Sequence, residues 1–257
     1  MKTPLKDEIG SYKSALYLKQ IIPKGSVVYS YLLYSGQLEF SLCQNDRFVC
    51  AHTNKYAICE FWECMLDEPR RIYEIISSDN FSFPDERMLY LLQESWMRCS
   101  DAYLRSAIFY YLNRCSSTGN ASSGILEPTQ LNPFLLTQLK NFEMKNFHVE
   151  YQKTTDQSIF KALENDSDCD YYLIPAGEFN HNLFDEGKSR GFDTTIVDHK
   201  EIETQFKKNT DKKIVMVYKF HKKLLTMYKE ASIAMINRYG DLTDEQNNCE
   251  EIIVTNF

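Results

Sequence analysis

Glycine and proline are scarce in this sequence, at 9 and 7 residues of 257, so long disordered or low-complexity stretches are not expected. Cysteine occurs eight times (Cys43, Cys50, Cys59, Cys64, Cys99, Cys115, Cys169, Cys249) but never as a CxxC pair, and the five histidines lie far apart. The close ligand pairs of a structural zinc site are missing, and no metal is expected. The opening MKTPLKDEIGSYKS lacks the apolar stretch of a signal peptide, and no apolar run approaches membrane-spanning length. These absences point to a reducing cytoplasm (a host cytoplasm or virion for a viral chain), reduced thiols and no membrane partner. Positive charge is also short. With 29 Lys and Arg against 36 Asp and Glu, the net charge is −7, which argues against tight, sequence-independent binding to a phosphate backbone.

What is present is core-forming material: 43% hydrophobic and 14% aromatic residues, enough for one α/β domain with a smaller insertion. Residues 14–22 carry apolar positions at helical spacing and stop at Pro23-Lys24-Gly25. SVVYSYLLYSG (26–36) reads as a buried strand ending at Gly36, and RFVCAHTN (47–54) as a second. From Tyr56 to about Ser77 the pattern is helical, with Pro69 suited to the first turn of a new helix. Residues 85–114 form one or two long amphipathic helices before a Ser/Gly/Asn loop at 115–124.

After residue 145, strands and helices alternate: FHVEYQ, SIFKALEN, DYYLIP, HKEIETQFKK, KKIVMVYKF, KKLLTMYKE, SIAMIN and EEIIVTNF. Alternation of this kind implies a mostly parallel sheet with helices on both faces. The expected division is an α/β domain from 1–60 and 146–257, interrupted by a helical insertion at 61–145.

Several segments, in order, resemble the Dam-like DNA adenine-N6 methyltransferases. They are PLKDEIGSYKSALYLKQIIPKG near the start, SYLLYSG at 30–36, DEPRRIYEI at 67–75 and YLNRCSSTG at 111–119. Later come the block NFHVEYQKTTDQSIFKALENDSDCDYYLIPAGEF, then KKIVMVYKFHKKLLTMY and the terminal EEIIVTNF. The resemblance implies a Rossmann-like S-adenosylmethionine-dependent methyltransferase fold whose insertion corresponds to a target-recognition region.

It also implies a degenerate member. Where the family has Asp-Pro-Pro-Tyr to hold the flipped adenine, this chain has Pro175, Ala176, Gly177 and Glu178. Both the acceptor carboxylate and the stacking ring are missing at those positions. In the cofactor loop, Ser30 and Tyr31 replace the family's Glu-Pro and Tyr34 replaces its first glycine, leaving Ser35 and Gly36. A Cβ where the backbone should approach the cofactor would collide with it. Thr53, beside His52, stands where a ribose-binding acid is expected, and Asp46 falls too soon after Gly36 for that role. Gly10 and Asp156 complete the vestigial cofactor set, and no cofactor is expected unless the chemistry survives in divergent form.

Arg105, Asn113 and Arg114 fall where the family contacts DNA, although a capped helix end would look the same. Tyr29, Tyr31 and Tyr34 could stack on bases, but aromatics in an apolar strand read first as core. The lysines between 207 and 229 make the last third locally basic, which a solvated helix face also explains. The histidines form no nucleophile–base–acid arrangement. Three readings follow: a non-catalytic subunit or scaffold held by a protein partner or larger assembly, an active but divergent methyltransferase, and a DNA-binding module that masks sites.

Overall fold

The computed structural model describes residues 3–7, 12–78, 81, 85–122, 125–128, 131–152, 169–179 and 197–257. Seven strands form one sheet: β1 (Val27–Ser30), β2 (Phe48–Thr53), β3 (Phe147–Tyr151), β4 (Tyr171–Gly177), β5 (Ile214–Lys219), β6 (Ser232–Asn237) and β7 (Cys249–Thr255). Their order is β3-β2-β1-β4-β5-β7-β6. The first five are mutually parallel, and β7 runs antiparallel between β5 and β6. This is the strand order of the Rossmann-like methyltransferase fold. The alternation after residue 145 foretold the parallel part; the reversed last strand carries no comparable sequence signal.

The strands read as continuous apolar runs because both faces are covered. Along β4 the side chains alternate, Leu173 entering one core with Val28, Ala51 and Val215, while Tyr172 and Ile174 enter the other with Met216 and Val254. The first core is closed by α1 (Ala15–Ile21), α2 (Gln37–Cys43), α3 (Tyr56–Asp67), α4 (Pro69–Ile76), α5 (Glu86–Ser95), α6 (Ala102–Cys115) and α7 (Pro133–Lys140). The second is closed by α8 (His199–Lys208) and α9 (Lys222–Met227).

Several helix starts are written in the sequence. Asp85, Asp101, Asn132 and Asp198 each accept hydrogen bonds from backbone N–H groups of the first turn, and Pro69 and Pro133 sit in the first turns of α4 and α7.

Residue 61, where the helical insertion is expected to begin, lies inside α3. Trp62 of α3 packs edge-on against Phe40 of α2 at 5.0 Å and contacts Phe142 and Phe147, so the helices and the sheet share one core. The strand expected at 26–36 stops at Ser30. Leu32 then takes φ 63°, which ends extended pairing. Helix α2 was not foreseen. The helix expected at SIFKALEN lies outside the described residues. Among those described, no helix is long and apolar enough to cross a membrane.

Candidate functional site

Open α/β sheets bind ligands beyond the carboxyl ends of their strands where the strand order reverses, here between β1 and β4. The loop after β1, residues 31–36, lies at that point. Tyr31 is fully buried, and its N–H donates to Leu173 O of β4 at 2.9 Å. Its ring stacks on His52 at 5.2 Å and on Tyr172 at 6.3 Å, making a row of rings from β2 past the end of β1 to β4. Tyr29 meets the same two rings edge-on. These tyrosines belong to the packing of the sheet face.

The rest of the loop is held by protein groups. Tyr34 donates its hydroxyl to Gly119 O at 2.6 Å, and its carbonyl accepts from Trp62 Nε1 at 2.8 Å. Thr3 Oγ1 donates to Ser35 O, and Ser35 Oγ donates to Asp7 at 2.6 Å. Gly36 keeps the left-handed conformation, φ 70°, and a Cβ there would meet the Phe40 ring at 2.7 Å. Leu32 holds a similar conformation that glycine would adopt freely, at a cost to leucine of about 1 kcal/mol.

One functional group went unnoticed in the sequence. Glu39 of α2 is buried and accepts a hydrogen bond from Ser30 Oγ at 2.7 Å. A carboxylate thus returns to the end of β1 from the adjoining helix, where the resemblance would put a glutamate in the strand itself. Burial pushes the Glu39 carboxyl above the usual carboxylate range; the Ser30 bond and a backbone bond oppose this, and Asp7 adds to it. Burial also raises the Tyr12 hydroxyl, helped by Asp7, Glu39 and Glu251. Glu251 accepts from Ser14 N at 2.9 Å and sits 3.5 Å from Lys219 Nζ. The only sequence signal for Glu39 is an acid set among Leu38, Phe40 and Leu42, all buried.

At the end of β2, Thr53 is buried and its Oγ1 accepts from Lys55 N at 3.2 Å. His52 Nδ1 lies 2.9 Å from Gln152 Nε2 and 3.6 Å from Glu150. Asp46 is in the turn before β2, paired with Lys24 at 3.0 Å. Gly10 and Asp156 lie outside the described residues.

At the end of β4, Pro175, Ala176 and Gly177 are buried strand residues, with the pairing register shifting between Pro175 and Gly177. Glu178 is exposed. The next residue, Phe179, supplies a buried ring, lying 4.8 Å from His199 and 5.2 Å from His221. Sequence spacing gave no hint that these histidines converge, because each comes from a different element.

Of the residues expected to meet DNA, Asn113 and Arg105 are held by partners within the protein. Asn113 is fully buried; its Oδ1 accepts from Lys6 N at 2.8 Å, its Nδ2 donates to Lys6 O at 2.9 Å and Gly119 O at 2.5 Å, and Nδ2 also lies 3.1 Å from Tyr34 Oη. Arg105 Nε donates to Glu60 at 2.6 Å in an ion pair whose side chains are 11% and 6% exposed. Arg114 is half-buried, with Nη1 3.5 Å from Pro4 O. Several lysines of the last third are engaged too: Lys207 with Glu203 at 2.5 Å, and Lys212 and Lys213 over the rings of Tyr172 and Tyr171. All eight cysteines are outside disulfides.

No protein-family model and no curated protein matches this chain. Among solved structures, it is similar to a predicted O-methyltransferase from Agrobacterium tumefaciens, at 8% identity and TM-score 0.30, over 99% of this chain and 79% of that one. A likeness at that score adds no argument of its own. The strand order, with its reversed β7, makes the fold that of the Rossmann-like methyltransferases.

Proposed function

We propose that this chain is a degenerate relative of the Dam-like DNA adenine methyltransferases that no longer transfers methyl groups. It serves as a non-catalytic subunit or scaffold in a larger assembly, viral or otherwise DNA-associated. The observation that carries this reading is the loop after β1, whose polar groups are tied to the chain's own N-terminal segment and helical region. S-adenosylmethionine does not fit the residues found there. Tyr34 stands where close backbone approach needs glycine, and its hydroxyl is spent on Gly119. Thr53, not a carboxylate, ends β2, and its oxygen is spent on Lys55 N. Pro175 to Glu178 supply no acceptor–ring pair for a flipped base.

A fold kept without its chemistry is kept for a surface. Leu16, Tyr239 and Leu242 are 57%, 68% and 59% exposed. Leu16 lies close to Gly240, whose added Cβ would be 3.7 Å from its Cδ1. Exposed apolar side chains on this side of the molecule would suit a protein partner.

A second reading, an active but divergent enzyme, draws on the carboxylates of Asp7 and Glu39 beside the same loop, since the sulfonium of S-adenosylmethionine is cationic. A site-masking DNA-binding role has less support, because Arg105 and Asn113 are committed to internal partners. Incubating the purified chain with adenine-containing duplex DNA and methyl-labelled S-adenosylmethionine tests the proposal. It predicts no label in the DNA. Label recovered as N6-methyladenine would overturn it in favour of the divergent enzyme.

A further inference from the structure

Away from the β1 loop, the fold assembles a set of metal-binding side chains that the sequence keeps far apart. β2 and β3 run parallel, with Cys50 opposite His148 and His52 opposite Glu150. Residues two apart on a strand share a face, so these four donors form a two-by-two array at the sheet edge. A ligand atom from each of Cys50, His148 and Glu150 lies within 4.8 Å of the other two. We propose that Cys50, His148 and Glu150 form a binding site for a divalent transition metal, with Zn2+ as the fitting ion.

The donor set selects the metal. A thiolate, an imidazole and a carboxylate are all ordinary zinc ligands, and the thiolate argues against Mg2+ and Ca2+. Zinc–ligand bonds of about 2.0–2.3 Å put tetrahedral ligand atoms roughly 3.3–3.8 Å apart. His148 Nε2 and Glu150 Oε1 are already 3.4 Å apart, and their side chains are 69% and 50% exposed, so both can turn to close the remaining gap. Three protein ligands leave a fourth position for water or an incoming group. Behind them lies buried His52, its Nδ1 2.9 Å from Gln152 Nε2 and 3.6 Å from Glu150 Oε2. A His148–Glu150 ion pair alone would not require a cysteine on the neighbouring strand; the thiol is what turns the pair into a chelating set.

The test is a Co2+ titration of the full chain under reducing conditions, read by the thiolate-to-cobalt charge-transfer absorption, followed by displacement with Zn2+. The site predicts one saturating equivalent and its loss on adding Zn2+. Cys50→Ser should abolish the charge-transfer band, Cys99→Ser should leave it intact, and His148→Ala should weaken binding by at least about tenfold. His148 is solvent-facing, so its variant keeps the test decisive if Cys50→Ser folds poorly. No charge-transfer band, a band that survives Cys50→Ser, or an affinity unchanged in His148→Ala would each overturn the site.

Discussion

Replacing Asn113 by alanine separates a structural role from a nucleic-acid role. The amide makes three hydrogen bonds, to Lys6 N, Lys6 O and Gly119 O, with Tyr34 Oη 3.1 Å from its nitrogen, and so pins the N-terminal segment, the loop after α6 and the loop after β1 together. Each bond contributes about 1 kcal/mol net, and a buried group stranded by truncation costs about 1–3 kcal/mol more. Because the three share one residue they are not independent, and about 3 kcal/mol is the reasonable lower figure for the whole. For a chain of this size that is a fall in melting temperature of roughly 6–12 °C. Urea unfolding of Asn113→Ala, Tyr34→Phe and the double variant gives both the total and the Asn113–Tyr34 coupling. A loss below about 1 kcal/mol, accompanied by weakened DNA binding, would refute this reasoning and return Asn113 to an interface.

Arg105→Ala leaves Glu60 buried beside no counter-charge and should cost about 3–5 kcal/mol in the same unfolding assay; an unchanged stability would contradict the ion pair. Gly119→Ala would place a Cβ 2.3 Å from Lys6 O at φ 90°, whereas Gly25→Ala at φ 80° meets nothing within 4 Å. The first should therefore destabilise well beyond the roughly 1 kcal/mol of left-handed strain expected of the second, and equal losses would disprove the close approach. Glu39 gives a pH test. Its raised pKa means the folded chain keeps a proton that the unfolded chain has released, so its contribution to stability falls as pH rises from the ordinary value of 4.5 through the raised one. Glu39→Gln removes that loss, so melts across this window should show the variant gaining on the parent as pH rises; a pH-independent difference would rule it out.

The sequence carried much of the fold because its signals are local. Asp85, Asp101 and Asp198 mark helix starts by the hydrogen bonds their short side chains make to the next turn, whereas α7 falls in a stretch, 125–145, whose pattern is mixed. Continuous apolar runs mark strands covered on both faces. Helix α2 escaped because QLEFSLC follows a long apolar run, and only the left-handed turns at Leu32 and Gly36 separate it from β1. The site was less legible. Its loop was located by resemblance, but what fills it depends on contacts between distant segments: Lys6 with Asn113, Tyr34 with Gly119, Ser30 with Glu39. Asn113 and Arg105 look like polar contact residues in sequence, and burial alone reveals them as internal ties. The array of Cys50, His52, His148 and Glu150 depends on the β2–β3 register, which no spacing in the sequence encodes.

On the proposed function, the chain's own contacts fill the loop after β1 where the Dam-like family would hold its cofactor. Calorimetric titration with S-adenosylmethionine and its demethylated product tests it most directly. The account predicts no binding heat up to millimolar ligand. Micromolar binding that weakens in Glu39→Gln would contradict it, placing the cofactor beside the buried carboxylate and the chain among working methyltransferases.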